Sequence, residues 1–146
     1  MLRAVLSLLL ASANNGAASQ QALGAEAACR LIKGDKIPGG TTYVIQGVYF
    51  SDWHHGSNIE LPNCDDAIFP ILADDVSAKV QSYHRAFQVK CGGVLMGDRI
   101  VGVFTGHFER KKAMLYSFTK PLPVDFFVVT DVTTKDLDTG SISCPG

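Results

Sequence analysis

The sequence predicts a mainly β chain with one helix. Five segments rich in β-branched and aromatic residues are separated by stretches of glycine, proline and polar residues, which is the pattern of short strands joined by turns. Between the third and fourth of these segments, the apolar residues change to helical spacing. A helix at that position in a five-stranded sheet is the order of an OB-like barrel, and an open antiparallel α+β sheet with one helix is the alternative.

The first three strands are predicted in the first half of the chain. Residues 41–50 alternate between two faces, and Gly47 inside this strand indicates a bulge or a sharp bend. Residues 58–61 form a short returning strand, and residues 67–72 form an edge or irregular strand because Pro70 cannot donate a ladder hydrogen bond. The two faces of the first strand are Tyr43, Ile45, Gly47 and Tyr49, and Val44, Gln46, Val48 and Phe50.

The predicted helix spans residues 74–88. Asp74 or Asp75 is placed to cap its start, and Gly92 and Gly93 follow its end. Its apolar residues fall on one stripe at helical spacing, which is typical of a helix that packs on a core. The stripe consists of Val76, Val80, Tyr83 and Phe87.

Two further strands are predicted after the helix, over residues 99–109 and 125–132. Arg110-Lys111-Lys112 is interpreted as a solvated turn, and residues 115–118 as a short strand that could also be irregular. Prolines at positions 121 and 123 are expected to interrupt the chain before the last strand. The apolar face of the fourth strand consists of Ile100, Gly102, Phe104, Gly106 and Phe108.

Residues 1–28 are interpreted as a signal peptide followed by a flexible spacer. The first three residues supply positive charge, residues 4–11 are apolar, and Ala11-Ser12-Ala13 has the small-x-small pattern that signal peptidase accepts. The apolar run is too short to span a bilayer. Residues 29–146 are then a single β-rich domain. We therefore expect a secreted or periplasmic protein with no membrane span after signal cleavage.

All four cysteines follow the leader, and an even number in an exported chain predicts two disulfide bonds. We expect Cys64–Cys91, which would pin the helix to the strand before it. We also expect Cys29–Cys144, because the ends of a domain are often close together. The alternative pairing, Cys29–Cys64 with Cys91–Cys144, would tether each tail separately.

The segment Asp52-Trp53-His54-His55 followed by glycine is the candidate ligand-binding loop. It holds the only tryptophan and two of the four histidines, and it is predicted to be a turn, where binding residues concentrate. Three interpretations stay open: a structural turn, a loop in which Trp53 stacks on a ligand, and a metal site that adds His107. Two adjacent histidines on a strand point to opposite faces, so both cannot readily bind one ion.

Three pieces of the chain, VIQGVYFSDWHHGSNIELPNC, VGVFTGHFE and VDFFVVTDV, resemble a group of small exported bacterial OB-fold-like domains. The resemblance covers roughly residues 42–132. It is carried by Gly47, His54-His55-Gly56, Cys64 and Val101-Gly102-Val103-Phe104. It implies an exported location and a barrel-like fold, and it implies no activity.

The net charge and the absence of known catalytic motifs reduce the number of functions that the sequence favours. Thirteen basic and fourteen acidic residues give a net charge of −1, which does not favour a nucleic-acid partner. No GxSxG nucleophile motif or CxxC pair is present, and we expect no cofactor. We therefore expect a non-catalytic domain that binds an envelope protein, peptide or other ligand. The alternative is a small hydrolase or metal-dependent enzyme that uses the Asp52–His55 loop.

Overall fold

The computed structural model describes residues 20–34, 37–52, 56–92, 98–114, 119–134, 137, 142 and 144. Within these residues the chain is mainly β, as predicted, and it has two helices rather than one. In chain order the elements are β1 (Gln20–Leu23), α1 (Ala25–Lys33), β2 (Thr42–Asp52), β3 (Gly56–Glu60), β4 (Ala67–Leu72), α2 (Asp74–Cys91), β5 (Asp98–Ala113) and β6 (Leu122–Thr133).

The six strands form one mixed sheet whose hydrogen bonds run in a ring. The strand order is β1-β2-β3-β4-β6-β5, and β5 also pairs with β2. β1 is parallel to β2, and β4 is parallel to β6, whereas the other neighbours are antiparallel. The alternative of an open antiparallel sheet fits only in part, because two of the strand pairs are parallel and β5 returns to β2.

The interior of the ring is lined by the faces that the alternation predicted. On β2 the buried residues are Tyr43, Ile45, Gly47 and Tyr49, and on β5 they are Ile100, Gly102, Phe104, Gly106 and Phe108. The largest fully buried side chains come from β2, β3, β5 and β6, so the core lies inside the ring and not between two layers. These side chains are Phe104, Phe127, Ile45, Ile59, Ile100, Val129 and Val132.

Two glycines on this inner face allow close approach of neighbouring strands. A Cβ atom on Gly47 would lie 2.7 Å from the Cγ2 atom of Ile59, and one on Gly106 would lie 2.1 Å from the carbonyl oxygen of Val128. The irregularity in strand pairing falls at Thr105 and Gly106, between β5 and β6, and the β2 ladders are regular at Gly47. Gly47 therefore marks a close contact, and the predicted bulge lies elsewhere.

Helix α2 follows the predicted pattern closely. Its buried residues are Val76, Val80, Tyr83 and Phe87, so the predicted stripe is confirmed. Gly92 ends the helix at φ +76°, a conformation that glycine adopts without a steric penalty. The predicted cap is wrong by one residue. Ala73 occupies the N-cap, and Asp74 and Asp75 lie in the first turn, where negative charge interacts favourably with the helix dipole.

The segment predicted as a spacer through residue 28 is partly ordered structure. β1 pairs with the first half of β2, with Gln20 opposite Thr42 and Leu23 opposite Ile45. α1 follows it directly and buries Ala28 and Cys29. Residues 1–19, including the leader, lie outside the described residues.

Two predicted interruptions in the C-terminal half are wrong. Arg110, Lys111 and Lys112 lie within β5 and pair with β6, so they form no turn. Pro123 lies inside β6, opposite Lys112, and does not interrupt it. The short strand predicted at 115–118 lies outside the described residues.

The prediction of an edge or irregular strand at residues 67–72 is not confirmed, because β4 lies between β3 and β6, but Pro70 is accommodated where the pairing with β3 has ended. β3 pairs only with Ala67 and Ile68 of β4. At Pro70, the side of β4 that faces β3 therefore has no partner in β3. The other side pairs in parallel with β6 from Phe69 to Leu72. A missing N–H at position 70 therefore removes no bond to β3.

Candidate functional site

An exposed apolar patch lies on the outer face of β2 and β5. Val48 stands directly opposite Val101, and residues opposite each other in an antiparallel pair share one face of the sheet. Val101 is 59% exposed and Val103 is 37% exposed, although both are large apolar residues in the middle of a strand. Phe50, two residues beyond Val48, is on the same face and is half-buried. We call Val48, Phe50, Val101 and Val103 the outer patch.

A charged pair borders the outer patch at its Phe50 end. Arg99 of β5 stands opposite Phe50, and the centre of its guanidinium group lies 5.7 Å from the centroid of the phenyl ring. The same guanidinium donates a hydrogen bond to the carboxylate of Glu60 on β3. Arg99 thus crosses β2 to reach β3, and it covers part of the aromatic ring with a cation.

An unpaired acceptor lies next to this charged pair. Asn58 of β3 stands opposite Phe50 in the register, two residues from Glu60. Its side-chain oxygen Oδ1 is buried and has no hydrogen-bond partner among the described residues. A buried acceptor without a donor is destabilising by about 1–3 kcal/mol.

On the inner face of the same ends of β2 and β3, three hydroxyl groups form hydrogen bonds with one another. The Tyr49 hydroxyl donates to Ser57 Oγ at 3.0 Å, and Ser57 Oγ donates to Ser51 Oγ at 3.1 Å. The Tyr49 ring stacks on His84 of α2, with ring centroids 6.5 Å apart. The buried phenol is therefore satisfied by the hairpin that carries it, and this chain of hydroxyls serves to hold β2 against β3.

The predicted ligand-binding loop joins these two strands. β2 ends at Asp52, which stands opposite Gly56 at the start of β3. Trp53, His54 and His55 lie outside the described residues, so their roles stay predictions. Asp52 and Gly56 are the strand residues that flank this loop. Phe50 precedes Asp52 by two residues, Asn58 follows Gly56 by two residues, and the two stand opposite each other.

His107 does not lie near this loop. The β2–β5 register places Asp98 opposite Ser51 and Gly106 opposite Tyr43, so His107 is beyond the far end of the shared ladder. The length of strand between the two ends is roughly 27 Å. The proposed metal set that combines His107 with the loop is not brought together by this register.

His107 instead belongs to a charged row on the outside of β5. As predicted, it points away from the face of Phe104 and Phe108, and its Nε2 lies 3.0 Å from Glu109 Oε1. Lys111 Nζ lies 2.8 Å from the other carboxylate oxygen of Glu109. Hydrogen bonds from Lys111 and then from His107 lower the pKa of Glu109 below its ordinary value of 4.5, so this carboxylate is ionised at neutral pH.

The two disulfide bonds join the alternative pairs and not the expected ones. Cys29 is bonded to Cys64, with Cα atoms 5.8 Å apart, and Cys91 is bonded to Cys144, with Cα atoms 5.4 Å apart. The expected pairing is wrong because α1, missing from the sequence prediction, carries Cys29 to the segment after β3. Two disulfides within one chain are typical of an oxidising, extracytoplasmic environment.

Within the described ranges, no three histidine, cysteine, aspartate or glutamate side chains lie close enough to hold a metal ion. In the same ranges, neither helix is long and apolar enough to cross a membrane. The hydrolase or metal-enzyme alternative rests on the Asp52–His55 loop, and it stays a prediction.

The outer patch was not singled out from the sequence, although one signal for it was present. Ile100 to Phe104 is apolar at nearly every position, so alternation leaves Val101 and Val103 on the face opposite the core. An antiparallel strand with one solvated face is expected to be polar on that face. Apolar residues on both faces therefore indicate a second contact surface. Comparison with family models, curated proteins and solved structures found no match to this chain.

Proposed function

We propose that this chain is an exported, non-catalytic domain that binds a protein or peptide through the outer patch of an OB-like barrel. The observation that carries the proposal is the pair Val101 and Val103, exposed in mid-strand beside Val48 and Phe50. Contiguous exposed apolar residues rimmed by polar ones mark interaction surfaces on soluble proteins.

The strand connectivity supports the barrel assignment. Without β1, the ring runs β2-β3-β4-β6-β5 and back to β2, with a helix between its third and fourth strands in chain order. Two pairs of strands meet out of sequence order: β4 and β6 are parallel, and β2 and β5 are antiparallel. OB barrels are five-stranded Greek-key barrels that bind ligands through an outer strand face and adjoining loops. β2 ends at Asp52, two residues beyond Phe50 of the outer patch.

Export is supported by the leader pattern and by the two disulfides. Residues 1–13 have the charge, apolar run and small residues of a signal peptide. Disulfides persist outside the cytoplasm, in secreted and periplasmic proteins. The resemblance to small exported bacterial OB-fold-like domains supports the same location and is part of the proposal.

The polar groups around the outer patch favour a protein or peptide ligand. Arg99 and Glu60 form a charged rim at the same end, and buried apolar contact surrounded by a polar rim is the usual anatomy of a protein interface.

Site-specific photo-crosslinking in the producing cells tests this proposal. A photoreactive phenylalanine analogue at Val101 should form adducts with a partner. The same analogue at Val89, which is 88% exposed on α2, is the matched control and should form none. Val101→Asp should abolish adducts from a second crosslinker at Val103, whereas Val89→Asp should not.

Equal adduct formation from Val101 and Val89, or none from either, would contradict the proposal. Zinc bound in equimolar amount to the purified native protein, measured by elemental analysis, would instead favour the metal-enzyme alternative that uses the loop after Asp52.

A further inference from the structure

Beyond Gly106, one edge of β5 has no strand partner among the described residues. Pairing between β2 and β5 ends where Tyr43 stands opposite Gly106. Pairing between β5 and β6 continues for seven more residues, to Ala113 opposite Leu122. Within the described parts of the chain, His107 to Ala113 therefore has a strand partner on one side only. We call Glu109–Ala113 with Leu122–Asp125 the arm, since it extends past the β2 ladder.

Of the devices that usually protect an open strand edge, the arm has charge but no proline on that edge. The open edge from His107 to Ala113 is seven residues and about 23 Å long, so it is not the very short strand that protects many sheet edges. The backbone of alternate residues along it can pair with an added strand. Its remaining protection is charge, from Arg110, Lys111 and Lys112.

The arm carries three basic and two acidic residues, so it keeps one positive charge after its internal ion pairs are counted. Arg110 donates two hydrogen bonds to the carboxylate of Asp125, at 2.8 and 2.6 Å. These contacts raise the pKa of Arg110 above its ordinary value. Lys111 is paired with Glu109 at 2.8 Å. Lys112 is exposed and forms no ion pair with any of the described residues, so the arm retains positive charge.

We propose that the free edge of β5 in the arm binds an extended acidic peptide by strand addition. The backbone ladder would supply affinity, and the basic side chains would select negative charge at alternate positions. This inference goes beyond the proposed function, and it does not depend on the outer patch, which lies at the other half of β5.

Two other occupants fit the arm less well. An antiparallel pairing of two copies centred on Lys111 would place Arg110 opposite Lys112, and all three basic residues would face basic residues. A single-stranded nucleic acid is bound through stacking aromatic rings beside basic groups. Beyond Glu109 the described part of the arm carries no aromatic ring, whereas at its base Phe108 is buried and Phe126, opposite Glu109, is half-buried against Phe69.

The test uses a fluorescent synthetic peptide of alternating valine and glutamate, added to the full disulfide-bonded protein. Fluorescence polarisation should show saturable binding, and amide hydrogen exchange should show new protection within residues 107–113. The same peptide N-methylated at alternate residues keeps its charge and side chains but cannot complete a ladder. It should show no binding.

A matched pair of charge variants tests the basic selectivity. Lys112→Glu should weaken peptide binding about fivefold to tenfold, because an exposed attraction is replaced by a repulsion. Arg85→Glu makes the same change in net charge on the exposed side of α2, and it should alter binding by less than about twofold.

Five results would overturn the proposal: no binding of the peptide, equal binding of its methylated form, equal weakening by both variants, tighter binding of a single-stranded DNA probe, or a dimer that buries the arm. Failure of the arm proposal in these tests would not change the result expected from crosslinking at Val101. The two proposals therefore fail separately.

Discussion

At the scale of single residues, Gly106 has the least room of any inward-facing position among the described glycines. It lies at the irregular crossing of β5 and β6, where a Cβ atom would lie 2.1 Å from the Val128 carbonyl oxygen and 3.1 Å from the Phe127 ring. The first of these neighbours is backbone and the second is part of the core. Neither can move without disturbing the β5–β6 ladder, which is one of the closing contacts of the ring.

We therefore expect Gly106→Ala to lower the free energy of unfolding by about 3 kcal/mol, as overpacking against backbone does. Urea denaturation followed by circular dichroism measures this change. Gly39→Ala is the control, because no atom lies within 4 Å of the place that a Cβ atom would take there. It should be neutral or slightly stabilising, within about 1 kcal/mol. Similar denaturation midpoints for the two variants would contradict the close crossing.

The Arg99–Glu60 pair illustrates a different residue-scale effect. Both side chains are about half exposed, and ion pairs of this kind contribute only about 0–1 kcal/mol to stability. Stability is therefore a weak explanation for the position of Arg99. Its stronger consequence is geometric, because the guanidinium covers Phe50 and gives the outer patch a charged border.

At the scale of elements, β1 limits where the proposed signal peptide can be cleaved. It fills the side of β2 that β3 does not reach, with Ala22 opposite Val44 and Leu23 packed against the core. Removing it would expose the ladder groups of β2 at residues 42–45. We therefore expect signal cleavage after residue 13 and before Gln20.

N-terminal sequencing of the exported protein tests this expectation. A first residue between 14 and 20 would agree with it, and a first residue beyond Gln20 would contradict it. Deletion of residues 20–24 from the mature protein should lower the urea midpoint. Deletion of residues that precede Gln20 is the control, and it should leave the midpoint unchanged.

The elements that could be predicted from sequence are those whose period is strong. Strand alternation identified both faces of β2 and the inner face of β5, and helical spacing identified the four buried residues of α2. Helix α1 was missed although it is amphipathic, because its nine residues make fewer than three turns and follow an alanine-rich stretch that has the composition of a spacer.

Other features depend on contacts that no local pattern contains. Arg110-Lys111-Lys112 has the composition of a turn, but these three residues are exposed within the two-stranded arm instead. Composition cannot separate these two cases. The outer patch depends on which strand stands beside β2, and that pairing joins residues about fifty positions apart. Of the predicted site residues, only His107 and the four cysteines are described as side chains, and His107 lies away from the loop.

At the scale of the whole molecule, the ring and the disulfides stabilise different parts. The ring closes through backbone pairing and its packed interior. Cys29–Cys64 joins α1 to the segment after β3, and Cys91–Cys144 joins the end of α2 to the C-terminal tail. Neither bond links two strands directly. Each fixes a helix that packs on the ring.

Removal of one bond should therefore reduce stability without opening the ring. In the chain-entropy model, closing the 53-residue separation of Cys91–Cys144 contributes about 4.2 kcal/mol, and the 35-residue separation of Cys29–Cys64 contributes about 3.8 kcal/mol. We expect Cys91→Ala with Cys144→Ala to lower the free energy of unfolding by about 2–4 kcal/mol. Urea denaturation should remain a single transition.

Packing decides which of the two bonds matters more to the core. In the same model, the stabilisation expected from the two bonds differs by only about 0.4 kcal/mol. Cys29 is buried beside Ala28, whereas Cys144 is exposed at the surface. We therefore expect Cys29→Ala with Cys64→Ala to broaden the core amide resonances in NMR spectra more than the other double variant.

Peptide mapping of the non-reduced protein should yield Cys29 linked to Cys64, and a peptide linking Cys64 to Cys91 would refute this arrangement.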